Sequence, residues 1–338
     1  MISVIATVLN EGESIRGLLN SLAGQTLPPD EVVIVDGGSR DQTLAILREY
    51  SGRLPLHVIE VPGCSISAGR NRAIAEAHGD LIASTDAGVV LVPGWLESLM
   101  APLRSDSAVS VVGGFFEADA RTVFEAALGA ATLPLVEEID AATFLPSSRS
   151  VAFRRAAWEA VGGYPEWLDY CEDLIFDLRL KVAAPNWVFA PAAVVHFRPR
   201  KSLRAFMRQY TLYARGDGKA DLWRKRHAIR YVTYFLALPV LLALLIFGRP
   251  SLQFIGAGLA VLGASAYLAT PYRRLPSVLR AAAERGAVPL TRAAWIQAIL
   301  WIPVIRAAGD IAKMVGYPAG WLWRIRNKPA DWRALPLP

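Results

Sequence analysis

Short apolar runs alternate with segments of helical periodicity along the N-terminal part of the chain. Runs rich in β-branched residues predict strands at 2–9, 31–36, 56–61, 80–86 and around 108–116. The segments between them predict helices at 13–23, 42–50 and 67–78. Strands separated by helices imply right-handed crossover connections, so the pattern predicts an α/β domain with a Rossmann-like, mostly parallel sheet.

The pattern becomes irregular after residue 118 and strongly apolar after residue 230. The irregular part predicts a helix at 173–183 and short strands at 187–189 and 193–197. The later runs 231–247 and 251–269 carry no charge, and each is near the lower limit for a helix that spans a bilayer. We expect a transmembrane hairpin. Two buried core helices are the alternative, which a preceding basic segment disfavours.

Positive charge lies on both sides of this hairpin. The net charge is +6, and residues 196–230 alone contain eleven Lys or Arg but only two Asp. A basic segment directly before an apolar run indicates anionic lipid headgroups rather than nucleic acid. Arg273, Arg274 and Arg280 follow the pair. We therefore expect a multi-pass protein of the cell membrane, with its N-terminal domain and its C-terminus in the cytoplasm.

A third apolar segment, 293–323, differs from the first two because it contains charged residues. Arg306, Asp310 and Lys313 interrupt it, and Arg306 and Asp310 have the spacing of an i,i+4 ion pair. Tryptophans lie near both ends of the segment. Charges on one stripe with tryptophans alongside predict an interfacial amphipathic helix, or a helix lying across the hairpin, rather than a third span.

The N-terminus and the cysteines indicate the compartment. Met1 leads directly into a predicted strand, so we expect no signal peptide. Cys64 and Cys171 are far apart and fit no metal-ligand spacing. Free thiols in a reducing compartment are the favoured interpretation.

Three predicted strands end in acidic groups. Asp36 ends the second strand before two glycines, Asn10 and Glu11 follow the first strand, and Asp86 ends the fourth. Open α/β sheets bind their ligands at the carboxyl ends of parallel strands. An acidic, glycine-lined crevice suits the hydroxyls and ring donors of a nucleoside. Asp86 could also ligate a divalent cation beside a diphosphate, although a lone Asp at a strand end is often only a helix cap.

An ordered set of motifs resembles the family 2 glycosyltransferases, which have a GT-A fold. The motifs are Thr7-Val8-Leu9-Asn10-Glu11, Val35-Asp36-Gly37-Gly38-Ser39-Arg40-Asp41, Gly69-Arg70-Asn71, Ser84-Thr85-Asp86-Ala87-Gly88, Glu172-Asp173 and Gln209 to Gly218. They cover roughly the first 220 residues, and their order is more specific than any single motif.

The resemblance implies a nucleotide-diphosphate sugar donor, a divalent metal (Mn²⁺ or Mg²⁺) and inversion at the anomeric carbon. By this analogy Thr7, Glu11 and Asp36 contact the nucleoside, and Arg70 lies near the donor phosphates or sugar. The full set of implied donor-binding residues is Thr7, Asn10, Glu11, Asp36, Gly38, Arg70, Asn71 and Asp86.

One departure from the family pattern concerns the metal. The family usually has a second acid two positions after the first, where this chain has Gly88. Asp86 is then the implied metal ligand, and the metal has fewer protein carboxylates than the family pattern provides. His196 lies where some relatives place a histidine ligand, and a packed histidine at the sheet edge is an equal alternative.

The implied catalytic residues lie further along the chain. Direct displacement at the anomeric carbon needs a carboxylate that takes the acceptor's proton. The resemblance assigns this role to Asp173, with Glu172 orienting it or contacting the acceptor. Asp177 is predicted instead to pair with Lys181 at i,i+4.

Two further segments are assigned to the active site less specifically. Arg215 is expected to stabilise the departing phosphates from a loop made mobile by two glycines, the alternative being a basic helix beside the membrane. Gln209 is left undecided between the same two interpretations. Residues 146–150 could line the acceptor cleft.

We therefore expect an inverting glycosyltransferase that is anchored to the membrane and acts on a lipid or lipid-linked glycan. The expected divisions are 1–222 for the catalytic domain (1–117 for the donor, 118–222 for the acceptor), 223–272 for the basic segment and hairpin, and 273–338 for the remainder. The alternative is a catalytically silent nucleotide-sugar-binding scaffold, which Gly88 would favour. A transporter is disfavoured because two spans are too few for a pathway.

Overall fold

The computed structural model describes residues 1–334 and divides the chain into two compact units. The first unit contains Met1–Glu117, Leu135–Arg198 and the residues from Pro329 onward, and the second contains Ala118–Pro134 and Pro199–Lys328. The last four residues of the predicted division 273–338 lie outside the described residues.

The chain forms eight strands and twelve α-helices within its described part. The strands are β1 Ile2–Val8, β2 Glu31–Asp36, β3 Leu56–Glu60, β4 Leu81–Ser84, β5 Val89–Leu91, β6 Val111–Ala118, β7 Val151–Arg154 and β8 Trp187–Phe197. The helices are α1 Ile15–Ala23, α2 Thr43–Glu49, α3 Ile66–Glu76, α4 Trp95–Ser105, α5 Val123–Thr132, α6 Arg155–Ala160, α7 Glu172–Ala183, α8 Leu203–Ala220, α9 Arg224–Val232, α10 Leu238–Phe247, α11 Pro250–Glu284 and α12 Arg292–Asn327. A π-helical turn, Thr233–Ala237, joins α9 to α10.

The first unit is built on one eight-stranded sheet with the order β3-β2-β1-β4-β7-β6-β8-β5. The pairs β1–β2, β1–β4 and β2–β3 are parallel, as the helical crossovers predict. The pairs β4–β7, β6–β7 and β5–β8 are antiparallel. The sheet is therefore mixed rather than mostly parallel, because β7 enters between β4 and β6 from the irregular region instead of from a strand–helix–strand unit.

Both faces of this sheet are covered by helices. Along β1, Val4 and Val8 pack into one apolar cluster together with residues of α1, α2 and α4. Ile5, which points to the opposite face, packs into a second cluster with residues of α3 and α7. Burial on both faces explains why the parallel strands are continuous apolar runs without polar alternation.

The structure corrects one strand prediction in the irregular region. The two short strands predicted at 187–189 and 193–197 are a single strand, β8, that continues through Pro191. A proline lacks the N–H that a sheet ladder needs. The partner β5 pairs only with residues 195–197, so Pro191 is exposed and is not opposed by β5.

The second unit consists of helices, and α8 and α12 approach each other closely. A side chain at Gly218 would collide with the backbone of Tyr317, and one at Gly316 or Gly320 would collide with the backbone of α8. Residues 203–220 form one continuous helix, so the prediction of a mobile loop around Arg215 is wrong. The glycines serve the contact between the helices rather than flexibility.

Two helical segments of the second unit are long and apolar enough to cross a membrane, by length and composition alone. They are Arg224–Phe247 and Pro250–Glu284, whose most apolar 18-residue stretches have mean hydropathies of 2.1 and 1.6. Almost none of their most apolar stretches is buried, and Phe247 and Phe254 are each more than 80% exposed.

The predicted pairing of Asp310 within α12 differs from the observed one. Asp310 accepts a hydrogen bond from Arg230 of α9 at 2.7 Å instead of forming the expected ion pair with Arg306. Arg306 lies over the ring of Tyr267, at 4.4 Å from its centre. Asp310 and Arg306 thus each interact with a residue of a neighbouring helix instead of with each other.

Candidate active site

Asp36 is held at the end of β2 with one carboxylate oxygen available. Its Oδ1 accepts hydrogen bonds from the backbone N–H groups of Gly38 and Ser39, both at 2.7 Å. The turn requires a φ of +98° at Gly38, a conformation that a residue without Cβ adopts readily. Asp36 is fully buried, and its Oδ2 has no hydrogen-bond partner. A buried oxygen of this kind fits a donor supplied by a ligand.

The turn after β1 lies directly beside Asp36. Val8 is the register partner of Asp36, as the two strands are parallel. The N–H of Asn10 donates to Ser39 Oγ, and Asn10 Oδ1 accepts from the N–H of Arg40, both at 2.8 Å. Asn10 therefore ties the two turns together. The Glu11 carboxylate is half-buried and accepts from Ser14 Oγ at 2.7 Å.

Arg70 of α3 joins two acidic residues that are distant in sequence. One terminal nitrogen donates to Asp86 Oδ1 at 2.8 Å, and the other donates to Glu172 Oε1 at 2.7 Å. The guanidinium is buried and lies 5.3 Å from the centre of the Tyr164 ring. Gly69 allows α3 to approach β1, since a Cβ there would lie 2.7 Å from Thr7 Cγ2. The predicted residues Thr7, Arg70, Asp86 and Glu172 are thus held together.

The carboxyl groups of this cluster have pKa values that are shifted in opposite directions. Burial opposes ionisation of Asp86, but the guanidiniums of Arg70 and Arg149 hold its pKa below the usual value. Burial and the neighbouring Asp173 raise the pKa of Glu172 to about 7, against the effect of Arg70. Asp86 is therefore ionised at neutral pH, while Glu172 is close to its titration midpoint.

Asp173 lies in the first turn of α7 with its carboxylate half-buried. Its Oδ1 accepts from the N–H of Leu174 at 2.8 Å, and Ser147 Oγ lies 3.5 Å from Oδ2. Cys171 precedes the helix in the left-handed conformation, with a φ of 65°. This geometry leaves Asp173 next to the Arg70 cluster with an oxygen that can accept a proton.

Asp177 lies one turn after Asp173 and is buried. Burial and the charge of Asp173 raise its pKa well above the usual value. The predicted ion pair with Lys181 is not formed, because Lys181 Nζ donates instead to the carbonyl of Ala142 at 3.3 Å. Asp177 points into the core, whereas Lys181 extends over the Trp187 ring.

Arg149 is a site residue that sequence reasoning did not single out. Its Nε lies 3.6 Å from Asp86 Oδ2 and has no hydrogen-bond partner in the described residues. The guanidinium stacks over Phe197 at 4.4 Å and over Phe116 at 5.4 Å from the ring centres. The available signal was its place in the segment 146–150. Asp86 thus has two cations beside it.

Asn71, in contrast, is fully engaged by the protein. Its Oδ1 accepts from Trp158 Nε1 at 3.1 Å and from the N–H of Tyr164 at 2.8 Å. Its Nδ2 donates to the Tyr164 carbonyl and to Glu166. These contacts hold the loop after α6 against α3, and a role in donor binding stays a prediction.

The residues around Asp86 do not make a metal site by themselves. Within residues 1–334, no group of three His, Cys, Asp or Glu side chains could hold a metal ion. A Cβ at Gly88 would contact nothing within 4 Å, so there is space where the family has a second acid. His196 pairs in register with Val90, and its Nδ1 lies 3.7 Å from Glu117 Oε2. A divalent cation would need ligands from the donor as well as from Asp86.

Arg215 and Gln209 both lie on α8 of the second unit. Gln209 Nε2 donates to Tyr213 Oη at 2.6 Å, one turn later on the same helix. Their assignment to donor or acceptor therefore stays a prediction.

The chain is similar to known sugar transferases in sequence and in fold. Residues 3–145 match the family model Glycosyl transferase family 2. Glycosyltransferase AglE of Haloferax volcanii is 29% identical over 259 residues, which are 72% of this chain and 81% of AglE. Several other curated relatives align with about a third of this chain or less, and over less than a third of their own length.

Two solved structures share the fold. The mannosyltransferase PcManGT of Pyrobaculum calidifontis, solved with GDP-Man and Mn²⁺, has a TM-score of 0.52 at 20% identity and covers 97% of this chain and 87% of its own. TarS 1–349 of S. aureus, solved with UDP-GlcNAc, has a TM-score of 0.50 at 21% identity, with 97% and 92% covered. Residues 3–145 are therefore similar to glycosyltransferase family 2, and the chain is an enzyme with the GT-A fold.

Proposed function

We propose that this enzyme transfers a sugar from a nucleotide-diphosphate donor to a lipid or lipid-linked glycan, with inversion, at the cytoplasmic face of the membrane. The observation that carries the proposal is the bridge of Arg70 between Asp86 and Glu172. It joins the end of a parallel strand, where open α/β sheets bind ligands, to the helix that begins with the catalytic acid pair. PcManGT with GDP-Man and TarS with UDP-GlcNAc support the donor class.

The nucleoside would bind over the ends of β1 and β2. The free Oδ2 of Asp36 accepts a hydrogen bond from the base or the ribose. Thr7, Asn10, Glu11 and Gly38 surround the same turns. Backbone hydrogen bonds already fix Asp36 and its turn. The carboxylate that binds the nucleoside therefore needs little reorganisation when the sugar donor arrives.

The diphosphate would lie near Asp86, between the two guanidiniums. Arg70 and Arg149 offset the negative charge that develops on the leaving group, and the aromatic rings around Arg149 hold its plane in place. A divalent cation that arrives with the donor would be held by Asp86, with His196 as the second protein ligand, and would neutralise the same phosphate charge. The roles of Asn71 at the donor and of Arg215 at the departing nucleotide stay predictions from the resemblance.

Asp173 would act as the base. The acceptor oxygen attacks the anomeric carbon, the bond from that carbon to the diphosphate oxygen breaks, and its electron pair leaves with the diphosphate. The acceptor's hydroxyl proton passes to a carboxylate oxygen of Asp173. Glu172 contributes by holding Arg70 in place.

The membrane placement rests on the exposed apolar helices of the second unit. Arg224–Phe247 and Pro250–Glu284 expose large apolar side chains, and cationic residues flank the pair. Such surfaces are costly in water and favourable in a bilayer. We propose the same functional division as above, with 1–222 catalytic, 223–272 anchoring and 273–338 cytoplasmic.

The test is Asp173→Asn in purified protein, with Asp106→Asn as the matched control. We expect transfer to fall by about a thousandfold, because general-base catalysis contributes roughly 10²–10⁴ in rate. Donor binding, measured by calorimetry, should stay within about twofold of wild type. Transfer at the wild-type rate with intact donor binding would exclude Asp173 as the base. Wild-type protein that binds donor without any turnover would instead favour the scaffold alternative.

A further inference from the structure

A network of charged side chains lies among the helices of the second unit. Three of its members, Arg306, Asp310 and Lys313, lie on α12 at intervals of four and three residues, so they share one face of that helix. Arg230 of α9 and Tyr267 of α11 reach the same place.

Both carboxylate oxygens of Asp310 accept hydrogen bonds within this network. Its Oδ1 accepts from Arg230 Nε at 2.7 Å, and its Oδ2 accepts from Tyr267 Oη at 2.6 Å and from Tyr234 Oη at 3.2 Å. Tyr234 belongs to the π-helical turn Thr233–Ala237. Turns of this kind are frequent at functional sites. The carboxylate therefore neutralises Arg230 and has little capacity left for another cation.

Two cations of the network lack an anionic partner. Neither Arg306 nor Lys313 forms an ion pair with any residue in the part of the chain that the structure describes. Arg306 lies over the Tyr267 ring, and its Nε is buried without a hydrogen-bond partner. The Lys313 ammonium lies 5.0 Å from the centre of the Tyr210 ring.

The local charge balance is therefore positive. Arg230, Arg306 and Lys313 face a single carboxylate, while the nearby Asp217 is hydrogen-bonded to His227 at 3.1 Å. Burial and the cations Arg230 and Arg306 lower the pKa of Lys313, although Asp310 and Asp217 act in the opposite direction. A buried excess of positive charge is costly unless an anion joins it.

The position of the network indicates what kind of anion it is. Tyr234 and Tyr267 lie near the ends of the two apolar runs that are remote from the Gly248-Arg249-Pro250 turn. In a bilayer that contains the hairpin, this end is at headgroup height, where guanidinium and ammonium groups meet phosphates. Exposed apolar side chains of the same helices flank the site and suit an acyl or isoprenoid chain.

We propose that Arg306 and Lys313 form a binding site for the phosphate of a lipid. The proposal rests on the membrane placement in the proposed function and adds a specific anionic ligand to it. Charge-assisted hydrogen bonds from both cations hold the phosphate oxygens, and the tyrosines keep the two cations apart and oriented. An isoprenoid phosphate and the headgroup of an anionic membrane lipid offer the same chemistry.

The test compares lipid phosphates in full-length protein in a neutral detergent. Farnesyl phosphate, phosphatidylglycerol, farnesol and inorganic phosphate are titrated into wild type and into Arg306→Gln, Lys313→Gln and Arg306→Lys. Arg280→Gln is the matched control, because it removes one exposed charge from the same unit. Thermal unfolding of each variant shows whether it is folded.

We expect farnesyl phosphate to bind wild type at least about tenfold more tightly than farnesol or inorganic phosphate, since hydrogen bonds to charged groups are stronger than those between neutral groups. Arg306→Gln and Lys313→Gln should each weaken this binding about tenfold, Arg306→Lys less, and Arg280→Gln less than twofold. Preference for phosphatidylglycerol over farnesyl phosphate would identify a membrane headgroup as the occupant. Equal binding of farnesol, equal binding of inorganic phosphate, or an equal loss in Arg280→Gln would overturn the site.

Failure of this site and failure of the proposed function give different results. Transfer to lipid extract is measured on the same samples. Wild type that transfers sugar, with variants that bind farnesyl phosphate normally, contradicts the site alone. Absent transfer in wild type, with binding that depends on Arg306 and Lys313, contradicts the function alone.

Discussion

The two charged clusters of this enzyme have opposite compositions. In the first unit, Asp86, Glu172, Asp173 and Asp177 surround the buried Arg70. In the second, three cationic side chains lie around one carboxylate, that of Asp310, which pairs with Arg230. An acid-rich cluster can bind hydroxyls and accept a proton, whereas a cation-rich cluster can bind phosphate. On the two proposals above, the first cluster lies at the donor and takes the acceptor's proton, whereas the second binds a lipid phosphate.

The largest effect on stability is expected for Arg70→Gln. The substitution leaves the buried Glu172 and the half-buried Asp86 without their shared cation, and loss of one partner from a buried ion pair costs about 3–5 kcal/mol. Urea denaturation monitored by tryptophan fluorescence measures this change. Arg72→Gln on the same helix, whose ion pair is exposed, is the control and should cost less than about 1 kcal/mol. Similar losses in both variants would contradict the central position of Arg70.

A smaller loss is expected for Asp310→Asn in the second cluster. The amide retains hydrogen-bonding capacity toward the tyrosines but leaves Arg230 without its anion. We expect about 1–3 kcal/mol in the unfolding free energy, by the usual cost of an unsatisfied buried polar group. Thermal unfolding in detergent checks this, and added farnesyl phosphate should recover part of the loss. A variant as stable as wild type would mean that the cations do not need Asp310.

The acid-rich cluster should also make stability depend on pH through Glu172. Its pKa is raised from an ordinary value of 4.5 to about 7, first by burial and then by Asp173. A raised acid pKa means that the folded state binds the extra proton. The contribution is therefore complete below about pH 4.5 and is lost as the pH rises through about 7.

The measurement is the urea midpoint of wild type and Glu172→Gln between pH 5 and pH 8. Wild type should lose stability relative to the variant over this interval, because only wild type must ionise a buried carboxyl group. Parallel curves for the two proteins would show that Glu172 titrates normally.

The smallest structural effect is expected for Gly88→Asp, which restores the family's second acid. A Cβ at this position meets nothing within 4 Å, so the unfolding free energy should change by less than about 0.5 kcal/mol. The added carboxylate should nevertheless tighten Mn²⁺ binding in the presence of nucleotide diphosphate. Calorimetry with and without nucleotide measures this, and unchanged Mn²⁺ affinity would argue that the phosphates do not bind beside Asp86.

The sequence predicted the parts of the site that lie at strand ends. Asp36 and Asp86 could be found because an apolar strand followed by an acid has a fixed place in a parallel sheet. Arg149 could not, because it follows an irregular segment and approaches Asp86 only through the packing of two phenylalanines. Its contacts depend on tertiary structure alone.

The prediction for Arg215 shows a different limit. Two glycines in a polar segment indicate a loop if only the local sequence is considered. Both lie inside α8, and at Gly218 a neighbouring helix, distant in sequence, comes too close for any side chain. The same glycine spacing therefore fits either a flexible loop or a close contact between helices, and only the position of the partner helix distinguishes the two.

The close approach of α8 and α12 has a mechanical consequence for Arg215. Backbones that touch at Gly218, Gly316 and Gly320 leave no layer of side chains that could deform between them. The backbone of residue 215 therefore cannot move as a hinged flap would, because α8 and α12 are in direct backbone contact on both sides of it.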